Sequence, residues 1–158
     1  MFKISTIFKT PTLFLIGFLF QLSIGGVTFI RLSQQGQDRA YHDTYYVVGH
    51  FYYALNIGLF FILFAAVYFS VSRWSRRQYP EWAGRLHFAM LFIGSNLSFY
   101  PQYFILGQRI PRRYIDYPEA YAYWSKLSSY GLLLAEASFV LFIGIVFYTL
   151  FFGRQKVE

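Results

Sequence analysis

Four long apolar stretches determine what this chain can fold into. Each has the roughly 20 residues that a helix needs to cross a hydrocarbon core of about 30 Å. They occupy residues 11–32, 45–71, 86–107 and 127–152. Only 13% of the 158 residues are charged, about half of the share in a soluble domain. The sequence therefore predicts an all-α integral membrane protein, a single membrane domain over residues 1–158 with four transmembrane helices.

The distribution of basic residues predicts the orientation. Four crossings place both termini on one side of the membrane, together with the loop at residues 72–85. Basic residues on that side outnumber the acidic ones, Glu81 and Glu158, which indicates the matrix or cytoplasmic side. The formal net charge of +7 is divided between the two faces, so it does not favour nucleic-acid binding. Because there is no cysteine, disulfides and thiolate metal sites are excluded.

His50 lies inside the second apolar stretch, where an ionisable side chain is costly and by default indicates a functional site. A histidine at this depth can bind haem iron or another metal, relay protons, or form a hydrogen bond to a neighbouring helix. Gly49 precedes it and removes a side chain where a large flat ligand would approach the backbone. His50 is therefore the first candidate for a binding residue.

A polar pair, His42 and Asp43, precedes the second apolar stretch. Asp43 and His50 are seven residues apart, which places them on one helix face about 10 Å apart along the axis. The pair can act as a helix cap, with the carboxylate at the positive end of the helix dipole. The alternative is a site for a hard cation such as magnesium, completed by oxygen ligands of a neighbour and by water.

Two adjacent arginines, Arg112 and Arg113, lie on the same predicted membrane side as His42. They can simply contact lipid phosphates. Because the guanidinium group donates parallel hydrogen bonds from a rigid fork, they are also suited to recognise buried carboxylates or phosphates. Haem propionates are carboxylates of this kind.

Two more ionisable residues lie in the apolar stretches, His87 in the third and Glu136 in the fourth. We expect His87 to be interfacial or hydrogen-bonded to a neighbour. A carboxyl group at position 136 must be protonated, paired or facing a wet cavity. Small residues of the first and third stretches also predict close contacts between helices: Gly25, Gly26, Gly94, Ser95 and Ser98.

Several motifs, in order along the chain, resemble subunit I of the haem-copper oxidases, the catalytic subunit of cytochrome c oxidase. The segment 23–28 is similar to a glycine-containing part of the family's ninth helix, residues 42–53 to its tenth and residues 82–106 to its eleventh. The most specific match is the segment 111–118, Pro-Arg-Arg-Tyr-Ile-Asp-Tyr-Pro. The resemblance covers nearly the whole chain and implies that its helices are the last four of a twelve-helix bundle.

The resemblance implies a role for each polar cluster. His50 would be the proximal ligand of the high-spin heme A, which reduces oxygen together with a copper ion bound by another chain. His42 and Asp43 would belong to a magnesium site. Arg112 and Arg113 would contact the haem propionates.

One position departs from the family pattern. The family has a second histidine two residues after the first, where this chain has Tyr52. Two residues correspond to about 200° of helix rotation, so such a pair points to opposite sides and can serve two haems. Tyrosine can bind ferric haem, but an anionic oxygen ligand favours the oxidised, high-spin state. The usual low-spin haem is therefore not implied for this chain.

The copper ligands and other functional residues of the family belong to earlier helices, so we do not expect this chain to be active alone. We expect a separately encoded C-terminal piece that docks against an N-terminal fragment of subunit I and other oxidase subunits, including subunit II. The expected electron donor is cytochrome c, with quinol as the alternative. The expected location is the mitochondrial inner membrane, with the bacterial plasma membrane as the alternative.

Two other functions are compatible with the sequence. A degenerate paralogue of subunit I would act as a structural accessory subunit, which the loss of the second histidine favours. An ion or proton channel would use His50, His87 and Glu136. The catalytic function, reduction of oxygen to water with proton translocation, is favoured because buried ionisable groups are costly without a ligand. Although the second histidine is lost, this chain retains the other ionisable residues of the cofactor motifs quoted above: His42, Asp43, His50, Arg112 and Arg113.

Overall fold

The computed structural model describes residues 9–34, 50, 57–106 and 119–155. The described part is helical, with four α-helices: α1 Thr10–Leu32, α2 Gly58–Trp74, α3 Glu81–Leu106 and α4 Ala122–Phe152. A 3-10 helix, Glu119–Tyr121, precedes α4, and two short strands are present, β1 Arg77–Gln78 and β2 Arg154–Gln155. Two helical segments, Thr10–Arg31 and Ala122–Phe152, are long and apolar enough to cross a membrane, each with a mean hydropathy of 2.1.

The helix bounds agree best with the sequence prediction where the apolar stretch has sharp ends. Helix α1 nearly coincides with the predicted 11–32, whereas α2 is described from Gly58 and continues to Trp74, past the predicted end at 71. Helices α3 and α4 begin before the predicted starts at 86 and 127. Their first turns, residues 81–85 and 122–126, are polar and aromatic. Such interfacial turns are helical but not apolar, so a hydropathy criterion omits them.

The amino end of α1 is capped by the first residue of α3. The backbone N–H of Thr10 donates to Glu81 Oε2 at 3.1 Å, and the Thr10 hydroxyl donates to the same oxygen at 2.8 Å. The Tyr79 hydroxyl donates to Glu81 Oε1 at 3.2 Å. Burial raises the pKa of this tyrosine, and the charge of Glu81 raises it further, so Tyr79 stays a donor. The Glu81 carboxylate thus lies at the positive end of the α1 dipole and stabilises it.

The strand pair joins the end of α4 to the turn between α2 and α3. Strands β1 and β2 are antiparallel, with Arg77 opposite Gln155 and Gln78 opposite Arg154. Helix α2 ends at Trp74 with Ser75 as its C-cap, and Arg76 follows with a left-handed φ of 51° that turns the chain out of the helix. With the Glu81 cap, this pairing brings the start of α1, the α2–α3 turn and the end of α4 to one end of the bundle.

Aromatic side chains fill the space between the helices. The fully buried Phe14 of α1 lies 5.6 Å from Phe61 and 5.6 Å from Phe64 of α2, and 5.3 Å from Phe88 of α3, measured between ring centroids. Gly17 permits this packing, because a Cβ there would lie 2.5 Å from two ring carbons of Phe61. The core is therefore built from interlocking rings around α1.

Helices α3 and α4 contact each other backbone to backbone. A Cβ at Gly94 would lie 2.7 Å from the Ala135 nitrogen, and a Cβ at Gly131 would overlap the backbone nitrogen of Ser98. The Ser128 hydroxyl donates to the Ser98 carbonyl across the same contact. The predicted close contact at Gly94 and Ser98 is confirmed. At Gly26, in contrast, a Cβ would meet no heavy atom of the described residues within 4 Å.

Replacing Gly131 with alanine is expected to destabilise the α3–α4 contact by about 1–3 kcal/mol, because rigid backbone must move to admit the methyl group. The measurement is the midpoint of thermal unfolding and the yield of the detergent-solubilised protein. Gly144→Ala on the same helix is the matched control, since its Cβ would meet nothing within 4 Å among the described residues. Equal losses in the two variants would refute the proposed role of this contact.

Candidate functional site

His50 is held by helix α1. Its backbone is helical and its side chain is half-buried. Ring atom Nδ1 lies 2.5 Å from the hydroxyl oxygen of Thr28. The imidazole also stacks on Phe29, with 6.4 Å between ring centroids and 29° between ring planes. The histidine that the sequence singled out is therefore oriented by a polar and an aromatic neighbour from another segment of the chain.

Thr28 is a site residue that sequence reasoning did not identify. It is 9% exposed, and its hydroxyl oxygen lies 3.0 Å from the Gly25 carbonyl oxygen and 3.2 Å from that of Ile24. In the sequence, the glycines of the segment that contains Thr28 indicate a close helix contact, and nothing in it indicates a role for the threonine. A threonine in an apolar helix commonly bonds to a carbonyl of the preceding turn, so the sequence offered no signal that it also contacts His50.

A histidine in these surroundings could be the axial ligand of a haem or one of the ligands of a metal ion. Within the described ranges, no group of three or more His, Cys, Asp or Glu could hold a metal ion. A haem supplies four ligands from its porphyrin, so one axial histidine from this chain is sufficient. The aromatic neighbour Phe29, which is 61% exposed, is compatible with a large flat apolar ligand or with partner helices.

The other predicted site residues, His42, Asp43, Arg112 and Arg113, lie outside the described residues, as does Tyr52. The magnesium site at His42 and Asp43, the propionate contacts of the two arginines and the loss of the low-spin haem ligand at position 52 therefore stay predictions.

His87 has a structural environment. It is fully buried, and its Nδ1 lies 2.9 Å from the Tyr68 hydroxyl oxygen. Three phenylalanine rings surround it at centroid distances of 5.1 Å (Phe14), 4.7 Å (Phe64) and 5.3 Å (Phe142). Its Nε2 has no hydrogen-bond partner within the part of the chain that the structure describes. The interpretation of His87 as a hydrogen-bonded residue is confirmed.

The three residues of the channel alternative are not brought together. His50 contacts Thr28, whereas His87 packs on Phe14, and these two α1 positions are about 21 Å apart along a helix axis. The side chain of Glu136 is exposed on α4. The described residues therefore do not form a polar path that includes all three.

Replacing Tyr68 with phenylalanine is expected to destabilise the protein by about 1–3 kcal/mol, because both ring nitrogens of His87 would then be buried without a hydrogen-bond partner among the described residues. The effect should appear as a lower midpoint of thermal unfolding. Tyr148→Phe, at a position 49% exposed on α4, removes a hydroxyl of the same kind without burial and should change the midpoint little. A Tyr68→Phe midpoint equal to that of the control would show that this hydrogen bond does not stabilise the core.

Comparisons with known proteins found a similar family and a similar curated protein. The sequence model of the family described as "Cytochrome C and Quinol oxidase polypeptide I" matches residues 1–140. Cytochrome c oxidase subunit 1 of Cereibacter sphaeroides is 57% identical to this chain over 147 residues, which are 93% of the chain and 26% of that relative. The chain thus spans about a quarter of the length of this curated relative. Together with the four helices, the match confirms the predicted fold class, an all-α integral membrane protein.

Proposed function

Because this chain belongs to the family of cytochrome c and quinol oxidase polypeptide I, we propose that it supplies the last helices of the catalytic subunit of a respiratory oxidase. The activity of the whole complex is the reduction of oxygen to water with proton translocation. The observation that carries the proposal is the half-buried His50, whose Nδ1 is engaged by Thr28 of α1. Metal-binding histidines use one ring nitrogen for the metal and the other for such an orienting contact.

In this proposal His50 binds the iron of the high-spin heme A. The haem, with a copper ion bound by another chain, supplies oxygen binding and electron transfer when present. The contribution of this chain is to fix the position of the imidazole through Thr28 and Phe29. Phe29 also covers one face of the imidazole with an apolar ring.

The remaining cofactor contacts follow from the resemblance. His42 and Asp43 contribute to a magnesium site, because a carboxylate at the membrane surface is a ligand that magnesium prefers. Arg112 and Arg113 bind the haem propionates through their rigid donor forks.

The other helices of the subunit I bundle complete the haem site, and subunit II and further subunits complete the complex. The exposed apolar surface supports partner helices or lipid around this chain: Val27 is 68% exposed, Val140 71% and Phe152 68%. Such a surface requires an apolar environment on both faces of the bundle. Cytochrome c is the proposed electron donor, and the mitochondrial inner membrane the proposed location, with the termini on the matrix side.

The second candidate, a structural accessory subunit derived from subunit I, is favoured by one observation. Tyr52 replaces a histidine of the family pattern, as expected of a chain that no longer binds haem. This candidate predicts that a complete subunit I accompanies the chain in the same complex.

The test is purification of the native complex through an affinity tag on this chain. We expect a reduced-plus-CO minus reduced difference spectrum typical of a high-spin haem, bound heme A, and a single set of the twelve subunit I helices in the purified complex. A complex that contains a complete second subunit I would instead favour the accessory role. Absence of any CO-binding haem from the purified complex would refute the catalytic proposal.

A further inference from the structure

We propose that Thr28 is a positioning residue for His50, whose hydroxyl accepts a hydrogen bond from Nδ1–H and so reserves Nε2 for a metal. The inference rests on the proposed function, in which Nε2 binds haem iron. In this inference α1 not only packs against other helices but also determines which tautomer the His50 imidazole adopts.

The direction of the hydrogen bond follows from counting protons. Among the described residues, three polar atoms lie near the Thr28 hydroxyl oxygen: Nδ1 of His50 at 2.5 Å and the carbonyl oxygens of Gly25 and Ile24 at 3.0 and 3.2 Å. Carbonyl oxygens only accept, and a hydroxyl has one proton to donate. If that proton pointed to Nδ1, the hydroxyl oxygen would face both carbonyl oxygens without a proton between them. The proton therefore goes to a carbonyl of α1, and the hydroxyl lone pair accepts from Nδ1–H.

This arrangement fixes the ligand chemistry of the imidazole. A neutral histidine carries its proton on one ring nitrogen and a lone pair on the other. With the proton on Nδ1, the lone pair is on Nε2. A threonine hydroxyl that donates to a carbonyl is also a better acceptor, because hydrogen bonds in a chain polarise one another. The imidazole becomes more basic, which strengthens its bond to a metal.

Burial makes the Thr28 hydroxyl difficult to replace by water. The side chain is 9% exposed, and the carbonyl contacts with the preceding turn restrict its rotamer. A hydroxyl in a fixed rotamer holds the imidazole in a fixed plane. Loss of this hydroxyl should therefore be visible at the iron even if the helix itself is unchanged.

The experiment is resonance Raman spectroscopy of the reduced, purified complex, measuring the iron–histidine stretching band. Thr28→Val removes the hydroxyl and keeps the shape, so the band is expected to shift to lower frequency. Thr28→Ser keeps the hydroxyl, so its band is expected at the wild-type position. Thr149→Val is the matched control: Thr149 is fully buried in α4, and its hydroxyl donates to the Ile145 carbonyl at 2.6 Å. It should leave the band unchanged.

The outcomes separate this inference from the proposed function. A band that is absent in the wild type, or that persists when His50 is replaced by glycine, would overturn the ligand assignment itself. A band that requires His50 but does not move in Thr28→Val would overturn only the role of Thr28. If the valine variant loses its haem while Thr28→Ser keeps it, the hydroxyl is needed, as proposed. If the serine variant loses the haem too, Thr28 acts by packing and the proposal is wrong.

Discussion

Replacing His50 with glycine is expected to remove the CO-binding high-spin haem signal of the complex, and added imidazole is expected to restore it. The removed side chain is the proposed protein ligand of the iron on this face, and glycine leaves a cavity in which free imidazole can take its place. Oxygen consumption should fall by more than about 100-fold, because even the partners that orient a metal ligand are worth roughly 10–100-fold. Optical difference spectra and oxygen uptake measure both effects.

His87→Gln is the control for this variant. His87 is also buried in the bundle, but its surroundings are Tyr68 and three phenylalanine rings. Its replacement should lower stability and leave the haem spectrum of the assembled complex unchanged. A high-spin signal that survives in His50→Gly without imidazole would show that the iron is bound elsewhere.

Restoring the family pattern by Tyr52→His is expected to give the complex a low-spin haem spectrum that the wild type lacks. In the helix predicted from the sequence, positions 50 and 52 are separated by about 200° of rotation, so a histidine at 52 is expected to face away from the haem proposed at His50. Neutral imidazole favours the low-spin state and electron transfer, whereas the oxygen of tyrosine does not. The reduced-minus-oxidised spectrum and low-temperature electron paramagnetic resonance measure the gain.

Tyr53→His provides the comparison for this gain of a ligand. In the same predicted helix, position 53 is a further rotation of about 100° around the axis, so the added imidazole should not reach the same haem. If the wild-type complex already shows the usual low-spin haem signal, the expectation that Tyr52 removes this signal is wrong. A gain of equal size in both variants would show that the new signal does not depend on helix position.

The sequence predicted the helices because lipid imposes a length and a composition on each crossing segment. Helix α1 shows this most clearly, since its apolar stretch and its structure nearly coincide. The starts of α3 and α4 were placed too late, because Glu81 and the aromatic residues after Tyr121 form helical turns that are not apolar. Capping and packing between helices determine where such helices begin, and a hydropathy window measures neither capping nor packing.

The site was predictable where one residue is exceptional by itself, and hidden where two distant residues act together. His50 is conspicuous as an imidazole in an apolar stretch. Its contact with Thr28 joins positions 22 apart in sequence, and the bond between His87 and Tyr68 joins positions 19 apart. Both depend on the register of one helix against another, which side-chain packing fixes. For the same reason, the fit of Gly17 against Phe61 could not be found from spacing within one helix.

The cap that Glu81 places on α1 has a consequence for how the chain enters the bilayer. During synthesis the first helix is made long before residue 81, so its leading amide groups must rely on water or headgroups until the third helix arrives. Insertion of the third helix then locks the first in place. We expect α1 to reach its final depth in the bilayer only after α3 has inserted. The two helices would then reach their final positions as a pair and not one after the other.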